Sequence, residues 1–290
     1  MDISIIVPVY NAEIYLERCV KSIIRALNRY EGRGEILLID NNSLDESLDI
    51  MQKFKKKYPT IIRVLSCKNP GASAVRNFGF QRSNGKYIWF IDADDEITSS
   101  SIESLMHVAK SKDADFVMMG ATQFFKKGNN RYIPALDTNS ADFKSRFIRY
   151  GLGPWQIIIK ASWYKKNNFH FSEGIIHEDM EMMPSLILYT DKIGDIDKSF
   201  YHYYENTGSV LHKQSWDPHY LDIFPALEGL YSRFDKVDAI KKYYHELEWF
   251  FIWNLLIDSA KDFAKSEDGH IGYKRSRENV EEIFPALEEE

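Results

Sequence analysis

Gly85-Lys86-Tyr87-Ile88-Trp89-Phe90-Ile91-Asp92-Ala93-Asp94-Asp95 is an apolar run that ends in clustered carboxylates. Asn84-Gly85 supplies a turn before it, so Tyr87 to Ile91 reads as a buried strand. The acids then crowd one sheet edge, and a hard divalent cation with oxygen ligands relieves that crowding. Such a cation keeps some waters and completes its shell with substrate phosphates, which points to a diphosphate substrate. The plainer reading is a solvated acidic turn, and the rest of the chain has to decide between the two.

Outward from this strand, the first third alternates strand and helix patterns. Ile3 to Val9 is rich in β-branched residues. Ala12 to Asn28 carries Leu16, Val20, Ile23, Ile24 and Leu27 at helical spacing. Ile36 to Ile39 is a second strand closed by Asp40, and Leu44 to Lys57 a second helix behind Ser43. Ile61 to Leu65, Ala72 to Arg82, Ser101 to Lys110 and Phe116 to Met119 continue the alternation. The expectation is an α/β fold with a mostly parallel central sheet and right-handed crossovers. Ligands then bind beyond the carboxyl ends of the strands, where Asp40, Asp92 and Asp94 all fall.

After about residue 120 the alternation weakens. A hairpin is expected around Gly128-Asn129-Asn130, a helix over Asp142 to Tyr150 and a strand at Ile157-Ile158-Ile159. Glu178 to Leu188 reads as a helix despite Pro184, and Ile193 to Ile196 and Tyr201 to Tyr204 as two short strands. From Pro218 the pattern is helical and aromatic-rich. Tyr243 to Trp253 reads as core or a homodimer seam, with peripheral membrane contact as the alternative. The hexapeptide at Ile223 to Glu228 recurs at Ile283 to Glu288 without a surrounding repeat.

The net charge of −6, from 37 basic and 43 acidic residues, argues against a nucleic-acid binder with a broad basic face. With 290 residues and 44% hydrophobic content a sizeable core is available. Cys19 and Cys67 read as buried thiols rather than a disulfide framework. No run reaches transmembrane length, and no leader pattern precedes the first strand, so a cytoplasmic protein is expected, with the inner face of the plasma membrane as a peripheral station.

Four blocks together resemble family 2 glycosyltransferases. They are Val7-Pro8-Val9-Tyr10-Asn11; Ile39-Asp40-Asn41-Asn42-Ser43 with Asp45; Asn69-Pro70-Gly71-Ala72-Ser73-Ala74-Val75-Arg76-Asn77-Phe78-Gly79; and the opening stretch itself. A weaker match runs through Trp155, Lys160, Phe171, His177-Glu178-Asp179 and Tyr201 to Ser209, and is similar to bacterial enzymes of capsule, exopolysaccharide or wall-polymer synthesis. The resemblance implies a GT-A fold, a nucleotide-sugar donor, Mn²⁺ or Mg²⁺, a glycan or lipid-linked saccharide acceptor, and inversion in a single displacement. It implies a glycosyltransferase domain over 1–215, with donor binding in 1–100 and acceptor binding in 101–215, followed by a helical extension over 216–290.

By the same resemblance, Pro8, Val9 and Tyr10 line the nucleobase, Asp40 faces the nucleoside, Asn69 lies near the base and Arg76 near the phosphates. Asn41 departs from the usual pair of acids; its amide can still bond a uracil or thymine imide, and a UDP-sugar is the favoured donor. The alternative for Arg76 is a structural pairing with Asp40 or Asp92. Asp92, with Ala93 beside it, is expected to bond the ribose or a metal-bound water, Asp94 to ligate the metal and Asp95 to orient the loop. Glu178-Asp179 matches the catalytic motif, with Asp179 as general base; the alternative is two acids favouring a helix N-terminus. His212 is a second metal or phosphate ligand or an ordinary surface histidine. A nucleotidyltransferase and a non-catalytic nucleotide- or glycan-binding relative are the competing readings. The first needs a glycine- and basic-rich phosphate loop after the first strand, which Pro8-Val9-Tyr10-Asn11 is not.

Overall fold

The computed structural model describes residues 1–126, 128–206, 218–264 and 269–284. In chain order the elements are β1 (Ile3–Val9), α1 (Leu16–Arg29), β2 (Gly34–Asp40), α2 (Ser47–Lys57), β3 (Ile62–Ser66), α3 (Ala72–Arg82), β4 (Tyr87–Phe90), β5 (Glu96–Ile97), α4 (Ser101–Ser111), β6 (Phe116–Phe124) and β7 (Arg131–Ile133). There follow α5 (Phe143–Tyr150), β8 (Ile157–Lys160), α6 (Ala161–Lys166), α7 (Glu178–Met182), β9 (Ile193–Tyr204), α8 (Ile223–Asp235), α9 (Tyr244–Ile252), α10 (Ala260–Phe263) and α11 (Gly269–Ile283). The chain divides into two compact units. One comprises 1–140, 152–174 and 190–206; the other comprises 141–151, 175–189 and 207–290.

The first unit holds the sheet. Among the described residues nine strands join in the order β3-β2-β1-β4-β8-β6-β9-β5, with β7 on β6. β3, β2, β1 and β4 are parallel neighbours, as the alternating pattern predicts. Their apolar residues are buried because helices cover such a sheet on both faces. β1 lies between β2 and β4, so strand order reverses there, and the ends of these strands at Val9 and Phe90 are where a sheet of this class places its ligand.

Beyond β4 the sheet departs from a simple parallel array. β8, expected as a strand at Ile157-Ile158-Ile159, inserts antiparallel between β4 and β6. An apolar run buried on both faces carries no signal of direction. The two short strands expected at 193–196 and 201–204 are one strand, β9, parallel to β6. Its register breaks on either side of Gly120, where Met119 pairs with Ile196, Gly120 with Ser199 and Ala121 with Tyr201. A Cβ at Gly120 would sit 2.9 Å from the Lys198 carbonyl oxygen, so this close approach requires glycine. The expected hairpin forms as β6 and β7.

The second unit is helical. The helix expected over Glu178 to Leu188 is α-helical only to Met182 and tightens to a 3₁₀ turn over Met183–Leu188. Pro184 explains this, since it has no N–H to donate to the carbonyl four residues back. Arg233 Nη2 on α8 meets Glu181 Oε1 on α7 at 2.8 Å, and Ser145 Oγ on α5 donates to Glu246 Oε1 on α9 at 2.8 Å. In the aromatic segment Leu247, Phe250 and Phe251 are core, whereas Trp253 stacks on Trp249 and remains exposed. Among the described residues no helix is long and apolar enough to cross a membrane. The repeated hexapeptide lies outside the described residues beyond Phe284.

Candidate active site

Three strand ends of the parallel array meet at this edge of the sheet. At the end of β1, Pro8 is half-buried, Val9 is buried opposite Asp40, and Tyr10 is 62% exposed. The exposed ring at a strand end leaves an aromatic face available for stacking. Asn11, at φ +46°, turns the chain away. Its N–H donates to Ser43 Oγ at 3.2 Å and its carboxamide oxygen accepts from the Leu44 N–H at 2.8 Å. Ala12 N–H bonds Ser47 Oγ and Glu13 N–H bonds Asp45 Oδ2. These bonds zip the β1–α1 loop to the β2–α2 loop.

At the end of β2, Asp40 is buried and accepts from the Ser43 N–H at 3.2 Å. Asn41 is 7% exposed and bonds three points of the loop after β3. Its Nδ2 donates to the carbonyl oxygens of Cys67 at 2.9 Å and Asn69 at 2.7 Å, and its Oδ1 accepts from the Gly71 N–H at 2.9 Å. Both amide hydrogens expected to be available to a base are therefore engaged with this loop. Asn69 itself is exposed beside them.

Beyond β4, Asp92, Ala93, Asp94 and Asp95 form a tight turn, closed by the Asp95 N–H on the Asp92 carbonyl at 3.2 Å. Arg76, buried in α3, reaches Asp92 Oδ1 at 3.2 Å and lies over the Phe171 ring. The structural pairing considered for Arg76 is thus formed, on the residue expected to face the ribose. Asp94 Oδ2 accepts from Asn206 Nδ2 at 2.8 Å, and its carbonyl accepts from Arg18 Nη2 at 2.5 Å. The Arg18 guanidinium also stacks over Tyr204 at 3.8 Å and pairs with Glu96 at 3.0 Å. Asp95 is 1% exposed; its carboxylate accepts from the Tyr201 hydroxyl at 2.7 Å and the Tyr204 N–H at 2.8 Å. The same hydroxyl accepts from the Asp92 N–H at 3.2 Å. Trp155 stacks on Tyr201 at 4.5 Å and receives the Trp89 indole N–H on its carbonyl at 2.8 Å.

Burial and the Asp92 charge raise the Asp94 carboxyl above its ordinary value, although Asn206 pulls the other way. Burial, Asp92 and Asp94 push Asp95 up to about 8. Burial and mutual repulsion thus make it unfavourable to ionise the whole turn without a further positive charge. That is the electrostatic condition under which a divalent cation fits. Among the described residues no three His, Cys, Asp or Glu side chains converge as a metal cage. The donor set accordingly suits a cation held by one or two carboxylates, with water and phosphate oxygens completing the shell, the manner of Mg²⁺.

In the second unit, Glu178 and Asp179 occupy the first turn of α7, after a loop in which the Ile176 N–H bonds Asp222 Oδ2 at 3.3 Å. Glu178 is buried; Asp179 is half-buried and accepts from the Met180 N–H at 2.9 Å. His212 lies outside the described residues, as do Thr207, Gly208 and Ser209. Arg18, Tyr201 and Asn206 were not among the expected site residues. The amphipathic pattern absorbed Arg18 into a helix face, and Tyr201 and Asn206 lie more than a hundred residues from the acids they bond.

The family model described as Glycosyl transferase family 2 matches residues 4–168. The chain belongs to that family. This glycosyltransferase is 29% identical over 266 residues to the uncharacterized glycosyltransferase YibD of Escherichia coli (strain K12), covering 85% of this chain and 76% of that protein. It is 28% identical over 288 residues to the poly(ribitol-phosphate) beta-glucosyltransferase of Bacillus spizizenii, covering 97% of this chain and 43% of that protein. The crystal structure of S. aureus TarS 1–349 in complex with UDP superposes with a TM-score of 0.76 at 18% identity, covering 98% of this chain and 81% of that one. The fold is thus GT-A, with the mixed sheet and helical C-terminal region already described.

Proposed function

We propose that this glycosyltransferase moves a sugar from a UDP-sugar to a hydroxyl of a glycan or lipid-linked acceptor in the synthesis of a bacterial surface polysaccharide. The observation that carries the donor side is the mutual repulsion of the acids in the Asp92–Asp95 turn at the strand-order reversal, beside the exposed Tyr10. The UDP complex of TarS supports the choice of base, and the poly(ribitol-phosphate) relative supports a wall-polymer acceptor. Donor binding belongs in this reading to 1–100, acceptor binding to 101–215, and 216–290 is a helical extension.

In the reaction, Asp179 takes the proton of the acceptor hydroxyl as its oxygen attacks the anomeric carbon. Glu178 precedes it in the first turn of α7 and is the second acid of the catalytic pair in this reading. The bond from the anomeric carbon to the diphosphate breaks, and its electron pair leaves on the diphosphate oxygen. Asp94 would hold Mn²⁺ or Mg²⁺, which when bound takes up that leaving-group charge, and Asp92 would bond the ribose or a metal-bound water. Arg76 contributes a fixed positive charge beside Asp92. One base and one displacement suffice, and the product is inverted.

Asp179→Asn tests this reading, because it keeps shape and removes the proton acceptor. Turnover should fall by roughly 10²–10⁴-fold while UDP-sugar affinity stays near that of the unaltered enzyme. Near-normal turnover, or a product that keeps the donor's anomeric configuration, would overturn the mechanism.

A further inference from the structure

We infer that Asn41 is a positioning residue that ties down the 67–71 loop, and that it governs donor affinity through that loop rather than by reading the base. The inference rests on the UDP-sugar reading above.

The geometry is specific. Asn41 leaves the end of β2 with its backbone N–H on the Val9 carbonyl at 2.8 Å. Its side chain then spans the loop at three points, the carbonyls of Cys67 and Asn69 and the N–H of Gly71. Only one orientation of the amide satisfies all three, since the flipped amide would aim its oxygen at two carbonyls and its NH₂ at an N–H. Cys67 is further held by its N–H on the Asp40 carbonyl at 2.9 Å, and Asn42 Nδ2 reaches the Lys68 carbonyl at 3.2 Å. Gly71 sits at φ +101° and passes the chain into α3, the helix that carries Arg76. The amide of Asn41 therefore sets both the exposed Asn69 and the start of the Arg76 helix.

This accounts for the departure from two successive acids. A carboxylate accepts and does not donate. Aspartate at 41 could keep the Gly71 bond, but it would face the carbonyl oxygens of Cys67 and Asn69 with no hydrogen to give them. In this chain, restoring the acid should therefore harm donor binding. A residue that reads the imide of the base would behave in the opposite way, because the carboxylate is the better acceptor for that N–H.

The test compares the unaltered enzyme with Asn41→Asp and Asn41→Ala. UDP and CDP binding are measured by calorimetry, kcat and KM with a UDP-sugar, and backbone hydrogen exchange over 67–71 in the ligand-free protein. The positioning role predicts UDP binding weakened about tenfold in both variants, the loss of roughly one hydrogen bond's worth. The loss falls on KM, the UDP-to-CDP affinity ratio is unchanged, and exchange at the Gly71 amide is faster. Tighter UDP binding in Asn41→Asp, or a changed UDP-to-CDP ratio, would show that Asn41 reads the base and overturn the inference. So would an unprotected Gly71 amide in the unaltered protein, a result that needs no variant to fold. If the unaltered enzyme does not bind UDP, the donor reading fails, while the ligand-free exchange measurement still decides the tether.

Discussion

Two carboxylates are buried in the same sheet unit, and they have opposite characters. Glu35, 2% exposed near the start of β2, accepts from Ser4 Oγ at 2.7 Å, the Asn84 N–H at 2.7 Å and Arg63 Nη1 at 3.0 Å. Burial pushes its carboxyl up, but the hydrogen bonds from Ser4, Asn84 and Arg63 outweigh burial and hold it below its ordinary value. Asp95, at the other ends of the strands, is as deeply buried and has two donors, yet burial and two neighbouring aspartates lift it to about 8. Burial alone therefore does not mark a functional acid. What separates the two is their surroundings: donors dominate around Glu35, burial and like charges around Asp95.

The sharpest way to break this comparison is to remove one acid from each end. Asp94→Ala should abolish turnover and the metal-dependent part of UDP binding, whereas Glu35→Gln should leave turnover near normal. Full activity of Asp94→Ala, or of the unaltered enzyme in excess chelator, would remove the metal role. Glu35→Gln should instead lower stability by about 1–3 kcal/mol in chemical denaturation, because it weakens a buried acceptor with several donors.

Titration sharpens the contrast next. Asp95 has a folded value raised above its ordinary 3.8, so the native state holds that proton more tightly. Its contribution to stability is present at low pH and is lost as pH rises through about 8. Glu35 runs the other way, since its contribution is present above its ordinary 4.5 and is lost as pH falls through its lower folded value. Melting curves of the metal-free protein between pH 5 and 9, on the order of four decades of proton activity, should show a decline that Asp95→Asn flattens. A slope unaffected by Asp95→Asn would refute this assignment. The smallest effect is expected at Asn206. Asn206→Ala frees Asp94 Oδ2 and should alter the Mn²⁺ dependence of UDP binding by about threefold to tenfold, with little change in melting temperature. An unchanged Mn²⁺ dependence would make that bond incidental.

The legible parts of this site are those in which one short segment carries its own chemistry. The run into Asp92-Ala93-Asp94-Asp95 announced a buried strand and an acidic end, and both formed. The parallel order of the first four strands followed from strand–helix alternation, which fixes handedness and packing locally. Illegible were the features set by partners remote in sequence. Nothing near Ile157-Ile158-Ile159 says that it will lie antiparallel beside β4. Arg18 gives no local sign that it will bond the Asp94 carbonyl, nor Tyr201 that it will bridge Asp92 and Asp95. Asn41 was visible as a departure, but its purpose lay in three loop atoms that only folding brings to it.

The irregular pairing around Gly120 limits how such a chain can change by insertion and deletion. Between Met119 and Ala121, β6 advances by two residues, while β9 advances by five, from Ile196 to Tyr201, a surplus of three. Side chains alternate along a strand, so an odd surplus reverses the phase of everything downstream. Ile196 and Tyr201 thereby share the face on which Met119 and Ala121 lie, although they are an odd number of residues apart. Deleting a single residue at 197–199 would rotate the Tyr201 hydroxyl to the opposite side and leave Asp92 and Asp95 without it. A chimera or natural variant that alters β9 within 197–199 must therefore change its length by even steps or rebuild the bulge.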